Sequence, residues 1–165
     1  MALIRPARPD DATRIAAIWN PIIRDTDITF SPVERSPADI ATLIESRQAD
    51  GHGFWVAETG GTVAGFVTYA QFRGGPGYVH SLEHTIHVAP DARGAGLGMA
   101  LIGAAMDHAR AQGARVMVGG ITATNEPSLA FHRRAGFAEW GRIPAAGWKF
   151  GRWHDLVFMG RDLAR

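Results

Sequence analysis

The chain has 165 residues, with 17 Lys and Arg against 16 Asp and Glu for a formal charge of +1, and no cysteine. The length fits a single domain spanning 1–165, and the balanced charge lacks the basic footprint of a nucleic-acid binder, so the expected substrate is small. The absence of thiols excludes disulfides, thiolate metal sites and an acyl-cysteine intermediate, and with no bilayer-length apolar run and no signal-peptide core the chain reads as soluble and cytoplasmic.

In chain order, Leu3 to Arg5 predicts a first strand. Asp10 or Asp11 then offers an N-cap to a helix whose apolar positions Ile15, Ile18 and Trp19 fall at i, i+3, i+4, and Pro21 is expected to stop it. Residues 22–36 read as loop. A second helix is expected from Ser36 or Pro37, with Ile40, Leu43 and Ile44 facing inward, ending before Asp50-Gly51. Phe54 to Glu58, Gly60-Gly61 and Thr62 to Phe72 form a hairpin pattern, because the two glycines supply the positive φ angles of a tight turn. The loop 73–77 leads into a β-rich run from Tyr78 to Ala89, ended by Pro90.

A strong helix follows, with Leu97, Leu101, Ala104, Ala105 and His108 at helical spacing and Gly113 as its stop. Val116 to Ile121 reads as a buried strand, Asn125 to Arg134 as a short helix closed by Gly136, and two more strands are expected around Gly147 to Trp153. The alternation predicts an α/β fold with a twisted mixed sheet of about seven strands and about four helices.

The segment Arg93-Gly94-Ala95-Gly96-Leu97-Gly98 carries the sharpest chemical signal. Glycines at a helix start leave backbone N–H groups free to meet an anion that the helix dipole favours. Met99 and Ala100 after Gly98 exclude the Gly-Lys-Ser/Thr ending of a nucleoside-triphosphate loop, and Met99 stands where a dinucleotide fingerprint needs its third glycine. An ordinary glycine-rich turn is the other reading. Two motifs in order decide between them. Arg93-x-x-Gly96-x-Gly98 after a strand resembles the coenzyme-A motif of the GNAT superfamily of N-acetyltransferases. Asn125-x-x-Ser128-x-x-Phe131-His132-x-x-x-Gly136-Phe137 resembles the same superfamily's downstream helix.

Within that superfamily the chain resembles the phosphinothricin and methionine sulfoximine acetyltransferases over nearly its whole length. The resemblance is carried by Asn20, Thr29-Phe30, Phe72-Arg73, Tyr78, the strand Glu83 to Val88, both motifs, and Ala146 to Asp155. It implies a GNAT fold, acetyl-CoA as co-substrate, a small amino-acid-like amine as acceptor, and a homodimer, for which the five tryptophans offer apolar surface. Arg93 to Gly98, with Asn125 and Ser128, are then expected to hold the coenzyme. The main chain of Ile86, His87 and Val88 is expected along its arm, and the amide near Val88 at the developing oxyanion.

Direct transfer needs a neutral amine, which calls for a carboxylate base. Glu83 is the candidate, with an exposed strand carboxylate or ion-pair partner as its alternative. His132 stands where the superfamily usually places a tyrosine that protonates the departing thiolate; packing on its helix is the alternative. Phe30, Tyr78, Arg73 and Thr85 complete an expected amine pocket with Glu83, Arg73 gripping an anionic group through its fork unless it is simply solvated. A helix N-cap is the alternative reading of Asn125. His80, His84 and His87 do not converge on a metal, since strand alternation sends His84 and His87 to opposite faces. A transferase for protein N-termini or polyamines, and a non-catalytic acyl-CoA sensor, are the other functional readings. Trp148 to Asp155 interleaves aromatics with Lys149 and Arg152 as a nucleic-acid surface does, but the near-zero charge and the family resemblance imply a β-hairpin packed near the acceptor site or the dimer interface, with no catalytic role.

Overall fold

The computed structural model describes residues 1–164. Its strands are β1 (Leu3–Pro6), β2 (Phe54–Thr59), β3 (Thr62–Gln71), β4 (Ser81–Val88), β5 (Val116–Thr122), β6 (Ala138–Lys149) and β7 (Arg152–Asp162). They form one mixed sheet in the order β1-β2-β3-β4-β5-β7-β6. The β4–β5 pair is parallel and every other pair antiparallel. Four α-helices flank it, α1 (Ala12–Asp25), α2 (Pro37–Ala49), α3 (Leu97–Ala111) and α4 (Glu126–Arg134).

Two apolar clusters sandwich the sheet, because alternate strand residues point to opposite faces. On one side Phe54, Val56 and Phe66 pack with Ile15 and Trp19 of α1 and Ile40 and Ile44 of α2. On the other, Val67, Tyr69 and Met117 pack with Leu101, Ile102 and Ala105 of α3. Leu43 of α2 is only partly buried. The glycine signals hold where a left-handed backbone is required: Gly60 and Gly61 turn β2 into β3 at φ 57° and 77°, and Gly113 and Gly136 follow α3 and α4 at 83° and 85°.

Three expectations are corrected. Asp11 does not cap α1 with its side chain. Its carboxylate is already held by a two-pronged bond from Arg5, at 2.8 Å on each arm, and by the backbone N–H of Arg8. Pro21 does not stop α1, which continues to Asp25. Proline removes one backbone donor and strains the turn before it, but Ile22 and Ile23 beyond it are buried and the helix end is held from elsewhere in the chain, as described below. Tyr78 belongs to a short 3-10 turn, Pro76–Tyr78, rather than to the strand.

Candidate active site

The parallel pair β4–β5 is joined over only three residues, Ser81, Leu82 and Glu83 against Val116, Met117 and Val118. Beyond Glu83 the two strands splay, while β4 stays paired with β3 as far as Val88. Main-chain direction alternates along a strand. The carbonyl of His80 bonds the β5 side and the N–H of Ala89 bonds β3, so the N–H and C=O groups of His84, Ile86 and Val88 face the gap. A cavity of about 880 Å³ passes through the opening, lined on one side by the glycine segment and on the other by Glu83.

On the glycine side, α3 begins at Gly96, which is left-handed at φ 79° and offers no side-chain cap. The first-turn N–H groups of a 15-residue helix are thereby left for an anion. Gly94 is also left-handed, at 82°, and a Cβ at either position would meet open space. Gly98 is glycine for a different reason: a Cβ there would stand 2.9 Å from the Phe131 ring of α4. Arg93 donates from Nε to the Val88 carbonyl at 3.3 Å. Ala95 is the one residue of the segment outside the cavity lining. These groups fit a pyrophosphate with an extended polar arm running into the gap.

Asn125 accepts from the Ser128 N–H at 3.3 Å, so it is the N-cap of α4 as well as a cavity residue. His87 differs from its neighbours. Its backbone pairs with Phe66 of β3, and its ring packs against Phe66 and Trp19 on the far face, so it has no main-chain group to offer the gap. Burial pushes its pKa down to about 4.

On the other side, Glu83 and Thr85 share the cavity with Thr29, Phe30 and Gly120. Among the described residues the Glu83 carboxylate has no hydrogen-bond or ion-pair partner. Burial alone raises its pKa. Gly120 makes room for it, since a Cβ there would lie 3.3 Å from the Glu83 carboxylate. Such an unpaired, half-buried carboxylate is poised to take a proton rather than to hold an ion pair.

His132 is 2% exposed and meets His84, 7% exposed, with Nε2 against Nε2 at 3.1 Å. Its Nδ1 lies 2.7 Å from the Ser128 carbonyl. A carbonyl only accepts, so Nδ1 carries the proton. Burial lowers both pKa values, that of His84 to about 3, so both rings are neutral near pH 7. The His132 Nε2 is therefore a lone pair filled by the N–H of His84, and among the described residues the buried His84 Nδ1 has no partner. In this arrangement the one proton of His132 points to a backbone carbonyl, which favours the packing alternative over the expected general-acid role. Gly119 sits beneath the pair, where a Cβ would stand 2.7 Å from the His84 Nε2.

Arg73 and Tyr78 lie away from this cavity. Both are exposed, on the loop after β3, with the Arg73 guanidinium 5.6 Å from the centre of the Tyr78 ring. Sequence reasoning missed Gly119, Gly120, Thr122, Ile28 and the role of His84. Only the Gly119-Gly120 pair inside a strand left a signal, because glycine in a strand interior marks a close approach.

The Acetyltransferase (GNAT) family model matches residues 19–137. The L-methionine sulfoximine/L-methionine sulfone acetyltransferase of Pseudomonas aeruginosa is 37% identical, covering 98% of this chain and 95% of that protein. The phosphinothricin N-acetyltransferase of Streptomyces coelicolor is 31% identical over 97% and 95%. The structure of an acetyltransferase from Salmonella typhimurium with acetyl-CoA superposes at a TM-score of 0.95, with 33% identity, covering 99% of this chain and 94% of that one.

Proposed function

Because this chain belongs to the GNAT acetyltransferase family, we propose that it transfers the acetyl group of acetyl-CoA to the α-amine of a small amino-acid analogue of the methionine sulfoximine or phosphinothricin type. One observation carries the reading. A single cavity crosses the sheet through the β4–β5 splay, with an anion cradle on one face and the unpaired Glu83 carboxylate on the other. Acetyl-CoA supplies the thioester. Glu83 takes the proton of the incoming ammonium, directly or through a water. The Val88 N–H faces the gap, where it can hold negative charge developing on the thioester oxygen. Arg93 to Gly98 and the start of α3 hold the pyrophosphate, and Ile86 and Val88 align the arm. The thiolate leaves without side-chain help, being a good leaving group, and takes up through water the second proton shed by the acylated nitrogen, while the His84–His132 pair fixes the wall beneath it.

Phe30, Thr85 and Glu83 form the amine pocket in this reading. Arg73 and Tyr78 join it only if their loop folds inward or reaches the pocket of a second copy. A homodimer is part of the proposal, supported by the exposed Trp140, Trp148, Phe150 and Trp153 of the β6–β7 hairpin. So are a single domain and a cytoplasmic location, which the lack of cysteine favours.

Steady-state assays with acetyl-CoA against methionine sulfoximine, phosphinothricin, polyamines and N-terminal peptides test it. Turnover concentrated on the two amino-acid analogues is expected. Preference for peptides or polyamines would replace the substrate class, and coenzyme binding without turnover of any amine would leave a sensor. Sedimentation at micromolar concentration tests the dimer, and a monomer alone would remove it.

A further inference from the structure

The segment Trp148 to Asp155 makes the tip of the β6–β7 hairpin. Lys149 pairs with Arg152 across the two-residue turn Phe150-Gly151, whose φ angles of 55° and 70° are those of a type I′ turn. Lys149 is 5% exposed, a rare burial for a lysine. Its ammonium donates to three backbone carbonyls, of Ile23 at 2.5 Å, Thr26 at 2.6 Å and Thr29 at 2.7 Å. Ile23 lies in the last turn of α1 and Thr26 is its C-cap. The lysine therefore neutralises a helix C-terminus from more than a hundred residues away and ties the following loop to it.

Further contacts of the hairpin tip reach that same loop. Arg152 pairs with Asp27 at 2.9 Å. The His154 Nε2 donates to the Lys149 carbonyl at 3.0 Å, which fixes its ring 5.5 Å from that of Phe30 and 26° from parallel to it. Gly147 leaves the space Phe30 occupies, since a Cβ there would come within 2.3 Å of the ring. From β5, the Thr122 hydroxyl donates to the Asp27 carbonyl at 2.6 Å. The loop so held carries Ile28, Thr29 and Phe30, which line the Glu83 side of the cavity, whereas Lys149, Arg152 and His154 do not line it. An ammonium has three donors. All three of Lys149 are spent, so it acts on a substrate only through the loop.

We propose that Lys149, supported by Arg152 and His154, is the positioning residue of the amine pocket, holding Thr29 and Phe30 in the place that sets amine affinity and selectivity. The inference rests on the amine site assigned above. An apolar replacement of Lys149 leaves three carbonyls without a donor and lets the loop leave the pocket wall, while the glycine cradle across the sheet is untouched.

The test compares full-length wild type with Lys149→Met, Arg152→Gln and Gly147→Ala, the last pushing the Phe30 ring aside without touching the lysine. Readouts are kcat/KM for methionine sulfoximine, the Kd of coenzyme A by calorimetry, and amide hydrogen exchange of residues 26–30. For Lys149→Met and Gly147→Ala, kcat/KM for the amine is expected to fall roughly 10- to 100-fold, mainly through KM, the scale of a positioning error of about 1 Å. Arg152→Gln, which loses one largely solvated ion pair, should cost about two- to fivefold. Coenzyme A affinity should stay within about twofold of wild type, and exchange of 26–30 should quicken in Lys149→Met. Wild-type amine KM in a folded Lys149→Met protein would overturn the proposal, as would parallel loss of coenzyme affinity. Should Lys149→Met fail to fold, unchanged amine KM in both other variants overturns it. If the wild type prefers a different amine, the substrate assignment fails and the same ratios, measured on that amine, still decide the role of Lys149.

Discussion

The two sides of the cavity are built by different means. The glycine side is made almost wholly of main chain from two short, contiguous stretches: the gap-facing groups of Ile86 and Val88, and the uncapped start of α3. The Glu83 side is made of side chains brought from the end of α1, from β4, from β5 and from β7, held by a hairpin tip distant in sequence. A main-chain site tolerates change in its side chains but needs particular backbone angles and open space. A side-chain site can change its specificity through any of several distant residues, and it fails through the contacts that place them.

The largest effect expected is at Glu83, the base proposed for the side-chain face. Glu83→Gln should lower kcat/KM by about 10²- to 10³-fold near neutral pH, within the range for a general base, and recover in part at high pH as free amine accumulates. In the wild type the base works only when ionised. Since burial raises the Glu83 pKa, activity should fall as the pH drops through a value above the ordinary carboxylate range. A pH-independent loss in the variant would make Glu83 a structural group and dissolve the contrast between the faces.

Next comes the cradle, where two glycines should fail differently. Gly96→Ala lets the turn proposed to hold phosphate relax from its left-handed angle in the free protein, and restoring that angle on binding, at about 1–2 kcal/mol, should weaken coenzyme A binding about tenfold. Gly98→Ala instead presses on Phe131 and should lower stability by about 1–3 kcal/mol, with a smaller change in affinity. Calorimetry with coenzyme A and thermal melts separate the two. Equal affinity losses with unchanged melting would mean that both glycines serve the anion directly.

His132→Phe sharpens the comparison further. It strands the buried N–H of His84, so stability should fall by about 1–3 kcal/mol while kcat stays within about threefold of wild type. A fall in kcat of about 10- to 100-fold, with coenzyme affinity intact, would show instead that the pair delivers a proton. The smallest effect is at the hairpin tip. Phe150 holds a left-handed angle that favours asparagine or glycine, so Phe150→Asn, giving an Asn-Gly turn, should stabilise by about 0.5–1 kcal/mol and leave kinetics unchanged. A lower melting temperature would show that the Phe150 ring, 5.2 Å from the Lys149 ammonium, contributes more than its backbone strain removes.

The sequence alone determined the order of helices and strands, the glycine turns that join them, and the glycine-rich start of α3. Those features are local: an amphipathic period, a left-handed glycine or a helix start is written in a few adjacent residues, and Arg93 to Gly98 show it. It misjudged Pro21, because a local helix breaker yields when distant groups satisfy the helix end beyond it. It left the partner of His132 unseen, because the tautomer depends on what each ring nitrogen touches, and His84 lies 48 positions away. Tertiary structure alone decided that Arg73 and Tyr78 stand outside the cavity, that Gly119 and Gly120 clear space for His84 and Glu83, and that Lys149 holds the loop of Phe30. Each depends on the register of β4, β5 and β7 and on the splay between two of them, and strand pairing over such separations leaves no periodic mark in the chain.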